Sequence, residues 1–174
     1  MRRCILLFLL CLLLAGCAAP ELPPPETVCD TLLPEKAALP NPYTITIAVP
    51  PDAQKNELTP GGSQTVYRQK DGAYEIITRL ILANDRKSAI RQLTGFEAHQ
   101  LQVVETTRFH LPEYRFVWYV PGDPEGTLCR GAMLRDGQRY YTVVFAAPES
   151  AGTRYNAVAT EVFASIGLDY DEGA

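Results

Sequence analysis

Four strand-like segments follow one another between residues 101 and 146, at 101–110, 113–120, 127–134 and 138–146. Only short turn signals separate them: Pro112, then Pro121-Gly122-Asp123-Pro124, then Asp136-Gly137. Connections this short leave no room for a crossover, so each strand must lie antiparallel to the next and the segment reads as a meander. The same period of two recurs upstream. Tyr43, Ile45, Ile47 and Val49 alternate with Thr44, Thr46 and Ala48 until Pro50-Pro51 stops the run. Residues 64–70 and 73–82 flank Asp71-Gly72, an Asp-Gly pair that predicts a tight hairpin.

Two segments break this period. Asn84 or Asp85 is placed to cap a short helix through about Thr94 that buries Ala89, Ile90 and Leu93, with Gly95 ending it in the left-handed conformation. Near the C-terminus Tyr155, Val158, Ala159, Val162, Phe163 and Ile166 recur at helical spacing, while Thr160 and Glu161 face away. Gly167 follows as the expected cap, and 168–174 reads as a fraying acidic tail. The expected fold class is therefore α+β: an antiparallel sheet of about seven strands packed by a long C-terminal helix, with one short internal helix, spanning residues 43–167.

The first forty-two residues follow a different logic. Arg2-Arg3 precede an uncharged, leucine-dominated run from Cys4 to Leu14, and Leu14-Ala15-Gly16-Cys17 follows directly. This order resembles the signal of a bacterial lipoprotein. The resemblance implies that Leu14, Ala15 and Gly16 are the signal peptidase recognition positions of a leader spanning 1–16. It also implies that Cys17 accepts the lipid and becomes the mature N-terminus, a role that suits cysteine because its thiolate is a good nucleophile. The competing readings are an uncleaved membrane anchor and an ordinary secretory peptide. Against the anchor, the uncharged stretch to Pro20 is at the lower limit of the roughly 17 to 25 residues a spanning helix needs. Residues 18–42 hold seven of the chain's fourteen prolines, so 17–42 reads as a lipidated cysteine followed by an extended tether.

Loss of residues 1–16 takes Arg2 and Arg3 with it, so the 16 Lys and Arg fall to 14 against 20 Asp and Glu, a net charge of −6. An acidic chain is repelled by anionic lipid, which leaves acyl chains as the means of membrane attachment. It also lacks the clustered cations that nucleic acid requires, so no nucleic-acid partner is expected. Ala18, rather than aspartate, follows Cys17, which favours the outer membrane if the host has two. Of the five cysteines, Cys4 and Cys11 depart with the leader and Cys17 is lipidated. Cys29 and Cys129 are then free to form one disulfide, closing a loop of about 100 residues worth at most roughly 4 to 5 kcal/mol of chain entropy. The alternative is a buried Cys129 and a free Cys29.

In element order the exported domain resembles the PsbP/DcrB-like group of small envelope and thylakoid-lumen domains. Their final strand, here Tyr140 to Phe145, runs into a closing helix, here Tyr155 to Ile166. The resemblance implies an accessory or assembly protein without chemistry of its own.

The inventory of reactive groups points the same way. His99 and His110 are eleven residues apart and have no Cys, His, Asp or Glu around them at metal-ligand spacing, so no metal or other cofactor is expected. Neither a nucleophile elbow, a phosphate loop nor a dinucleotide glycine pattern occurs. Cys129 with a histidine base would need both to converge in space. Glu105 and Glu113 flank the Pro112 turn, where they read either as a glycosidase-like acid pair or as solvated sheet charges. Tyr114, Phe116 and Trp118 share one strand face and read as core meeting the C-terminal helix, with Tyr119, Tyr140 and Tyr141 nearby. If the second sheet face is exposed, Tyr119 and Tyr140 are the candidate binding residues, with Trp118 behind them. Three functions remain: a non-enzymatic envelope lipoprotein that binds a protein partner, a tethered small-ligand or wall-polymer binding module, and a hydrolase using Glu105, Glu113, His99 or His110.

Overall fold

The computed structural model describes residues 43–56, 64–122 and 124–170. The leader, the lipidation motif with Cys17, the proline-rich tether and Cys29 lie outside the described residues. The expected α+β class holds. Seven strands form one antiparallel sheet: β2 (Ala53–Lys55), β3 (Gln64–Gln69), β4 (Glu75–Leu82), β5 (Val104–Arg108), β6 (Leu111–Val120), β7 (Thr127–Asp136) and β8 (Arg139–Pro148). They lie in the order β2-β3-β4-β8-β7-β6-β5. The expected meander from β5 to β8 is present, and β8 closes on β4, so the hairpin series and the meander make one surface. β8 is buried along nearly its whole length on both faces, which accounts for its almost continuous run of apolar residues.

Alternation along the strands builds two cores. Ile76, Ala132, Leu134, Tyr141, Val143 and Phe145 face one side. There they meet Ala159, Val162 and Ile166 from α2 (Asn156–Ala164) and the turn after it. Ile81, Tyr114, Phe116, Trp118, Met133, Tyr140 and Val144 face the other side, against Ala89 and Ile90 of α1 (Arg86–Thr94) and Phe96, Leu101 and Val103 of the chain that follows. This connection crosses the sheet from β4 to the far edge at β5. Its start and stop are as the sequence indicates: Asp85 Oδ1 accepts from the Ser88 N–H at 2.7 Å, and Gly95 sits at φ 79°. Gly131 belongs to this side too, where the Phe116 and Trp118 rings lie over its bare Cα.

Five expectations are corrected. The C-terminal helix is not long: α2 has nine residues, the same as α1. Gly167 does not cap it in the left-handed conformation; it opens β9 (Gly167–Tyr170), so 168–170 is strand rather than fraying tail, and Leu168 packs on the α2-side core. The strand β1 (Tyr43–Thr46) pairs with β9 in a separate two-stranded sheet, and the short β2 takes its place in the large one. The Tyr114, Phe116 and Trp118 face is core, as expected, but it meets α1 and not the C-terminal helix. Finally, the β5–β6 turn falls at Phe109-His110. Pro112 lies inside β6, one residue beyond the last β6–β7 pair, where its missing N–H deprives β7 of nothing.

That turn is strained. Phe109 and His110 have φ of 53° and 62°, as a two-residue type I′ loop demands, and neither residue is the Asn or Gly that adopts this region at low cost. Replacing the pair with Phe109→Asn and His110→Gly is expected to raise stability by about 1 kcal/mol or more, read as a higher denaturation midpoint with an unchanged slope. A lower midpoint would show that the two native side chains stabilise the loop.

Candidate functional site

Because α2 is short, its side of the sheet is only partly covered. Val162 is buried over β7 and β8, whereas Phe163, one residue on, is half-buried, and past it the face of β5 and β6 is open. A groove of about 440 Å³ lies there, lined by Gln102, Val104, Arg115, Val117, Arg130 and Phe163, with the backbone at Phe116 and Gly131 between them. Val104 and Val117 are 56% and 51% exposed. Exposure of neighbouring large apolar side chains on one face is the feature that distinguishes a contact surface from scattered surface residues.

One buried carboxylate organises the wall of this groove. Glu113, 2% exposed, accepts from Arg115 Nε at 3.0 Å and lies 3.5 Å from Arg108 Nε. Arg108 also donates through Nη1 to the Ile166 carbonyl at 3.2 Å and the Ala164 carbonyl at 3.4 Å, at the negative end of α2. The β5–β6 hairpin is thereby tied to the C-terminus of α2. Arg130 ties down the other end, donating through Nη2 to the Gly152 carbonyl at 3.2 Å and to Asn156 Oδ1.

The sequence candidates separate on this framework. Tyr119 is 41% exposed on the groove side, its ring lying against Gly126, where a Cβ would collide with it. Tyr140 is corrected: it is 0% exposed in the α1-side core, so it offers nothing to a partner. Its hydroxyl has no hydrogen-bond partner among the described residues, and burial pushes its pKa up. Trp118 is likewise buried. Glu105 and Glu113 do not form an acid pair, because the register sets Glu105 opposite Tyr114 and Glu113 opposite Thr106, on opposite faces. Glu105 is ion-paired to Arg86 at 3.1 Å. His99 and His110 are both exposed, one on a 3₁₀ turn (Ala98–Gln100) and one in the strained loop. Cys129 is a free thiol enclosed by the α1-side core, and burial pushes its pKa up to about 11; its expected partner Cys29 lies outside the described residues. Among the described residues no three His, Cys, Asp or Glu side chains converge as a metal site would need, and no helix is long and apolar enough to cross a membrane.

Sequence reading passed over Arg108, Arg115, Val117 and Arg130. A signal for them was present in the alternation of β6, where Arg115 and Val117 interleave with the aromatic series. Polar and apolar residues mixed on the second face mark a face that no element fully covers.

No family model matches the chain, and no curated protein does. Solved structures share its fold. LpqN of Mycobacterium tuberculosis, described as involved in cell envelope biogenesis, is 13% identical with a TM-score of 0.50 over 76% of this chain and 87% of that one. The PsbP protein (CyanoP) of Synechocystis sp. PCC 6803 is 9% identical, TM-score 0.50, over 74% and 93%. A Bacteroides thetaiotaomicron protein is 17% identical, TM-score 0.49, over 75% of this chain. The chain spans 46% of that protein's length. The fold is thus PsbP-like, in keeping with the resemblance seen in the order of its elements.

Two outcomes follow from this geometry. Glu113→Gln removes the one charge that, among the described residues, is ion-paired to Arg108 and Arg115. It is expected to cost on the order of 2 kcal/mol, read by chemical denaturation, with Glu105→Gln at the exposed pair costing little. In reduced protein at pH 8, Cys129 should resist iodoacetamide until denaturant is added, since its thiol is enclosed and protonated. Modification of native protein at the rate of a free thiol would show that the α1-side core opens readily.

Proposed function

We propose that the chain is a bacterial cell-envelope lipoprotein, anchored through Cys17, whose exported domain docks a protein partner as an accessory or assembly factor and performs no catalysis. The observation that carries this reading is the open surface beside α2, where Val104, Val117 and Tyr119 are exposed on one sheet face. Among the described residues, the groups able to do acid, base or nucleophile chemistry are enclosed, ion-paired, or exposed on separate elements. Tyrosine and arginine, both present at this surface, are the residue types that dominate binding hot spots. The fold shared with LpqN, described as an envelope-biogenesis protein, and with a cyanobacterial PsbP supports an extracytoplasmic accessory role. The groove supports a second reading, a tethered small-ligand or wall-polymer binding module, because its roughly 440 Å³ falls within the size of ordinary ligand sites.

Metabolic labelling with a fatty-acid probe tests the anchor: wild type should be labelled and Cys17→Ala should not. In-cell crosslinking followed by recovery of the partner tests the surface. Val117→Asp and Tyr119→Ala should reduce recovery, while His99→Ala, His110→Ala and Glu105→Gln should leave both recovery and cellular phenotype intact. A folded histidine or Glu105 variant that reproduces the deletion phenotype would overturn the binding reading in favour of catalysis.

A further inference from the structure

The charges around the groove do not balance. Among the described residues, Arg115 and Arg130 line the groove and no carboxylate does; the nearest, Glu113, is shared by Arg115 with Arg108. Arg130 is held by a carbonyl and an amide oxygen, both neutral, and has no ion pair among the described residues. A guanidinium carries five N–H donors. Arg115 places Nε on Glu113, and Arg130 places Nη2 on its two acceptors, so each keeps donors for a further group. The register makes the two arginines diagonal neighbours: Arg115 pairs with Ala132 and Val117 with Arg130, a separation of roughly 7 to 8 Å across the ladder. Both side chains therefore reach the same groove, and an anion there can accept from the donors that each keeps. Beside them the walls are apolar, formed by Val104, Val117 and Phe163.

From this juxtaposition we infer that the groove binds an amphiphilic anion. Arg115 and Arg130 hold its carboxylate or phosphate head, and its alkyl body lies along Val104, Val117 and Phe163. A bare anion leaves the apolar walls wet, and a neutral amphiphile leaves Arg130 without a counter-charge; only a ligand with both parts satisfies both. The inference rests on the ligand-binding reading of the groove and gives its ligand a chemical class. A free fatty acid and a lipid phosphate share this chemistry.

The test uses the full-length lipidated protein in phosphatidylcholine nanodiscs. Phenylglyoxal modification of Arg115 and Arg130 is followed residue by residue by mass spectrometry, with the exposed Arg154 as internal reference. Octanoate or octyl phosphate should slow modification of Arg115 and Arg130 severalfold and leave Arg154 unchanged; whichever protects at the lower concentration distinguishes a fatty-acid from a phosphate source. Val117→Asp, at a position 51% exposed, should abolish the protection while circular dichroism stays that of wild type. Equal protection by inorganic phosphate would overturn the inference by showing that the alkyl body is irrelevant, and equal protection by octyl glucoside would do so by showing that the charge is. If the octyl anions fail while a soluble disaccharide-pentapeptide wall fragment protects, the amphiphile is overturned and the ligand-binding reading stands. If no probe protects, both fall.

Discussion

A carboxylate removed from water is tolerated only where cations replace its hydration, and Glu113 is such a group. Its position dictates much of what surrounds it. Arg108 must reach it from the neighbouring strand, and in doing so it meets the carbonyls that end α2, so the helix, the hairpin and the sheet edge are fixed to one another through a single ion cluster. The fixing is directional: it holds the end of a short helix over the edge of the sheet without extending apolar cover across β5 and β6. The charge cluster holds α2 and leaves the adjoining face open.

The open face and the closed one divide the labour of the domain. On the α1 side, aromatic rings from β6, the Cys129 thiol and the Tyr140 phenol are sealed under a helix and its following turn. This side contributes stability. On the α2 side the core runs from β7 across β8 and β4 to Tyr67 of β3 and Ala53 of β2 without reaching β5, and on β5 and β6 the sheet presents valine, tyrosine and arginine to solvent. A surface of that composition is suited to recognition. The PsbP-like fold is a scaffold on which such a surface can be varied without touching the opposite core.

Much of this was legible in the residues. Asp85 and Gly95 bracket α1 because capping and left-handed termination are local events that a few residues decide. The meander was legible because its turns are too short for anything else. What escaped reading depends on distant partners. β9 is four residues with no alternation long enough to register, and it exists because β1 lies alongside it. Gly167 looked like a cap because glycine after an apolar helical stripe usually is one; the chain instead turns directly into strand. Pro112 drew the turn to itself as the stronger local signal, whereas the β5–β6 register, with Arg108 opposite Leu111, places the loop at two residues that tolerate it poorly. Tyr119 and Tyr140 looked equivalent, but only the paired strands reveal that one faces the groove and the other the sealed side.

The sealed face and the open one are separated by one sheet thickness, and along β6 from Tyr114 to Tyr119 every step in sequence crosses from one to the other. Trp118 answers to the packing under α1, and Val117 answers to whatever the groove meets. The two sets answer to different constraints: a change at the even positions from 114 to 118 must be accommodated by the core they fill, whereas Arg115, Val117 and Tyr119 are exposed and carry no such packing constraint. The strand thus carries two records interleaved residue by residue, and one can be rewritten while the other is kept.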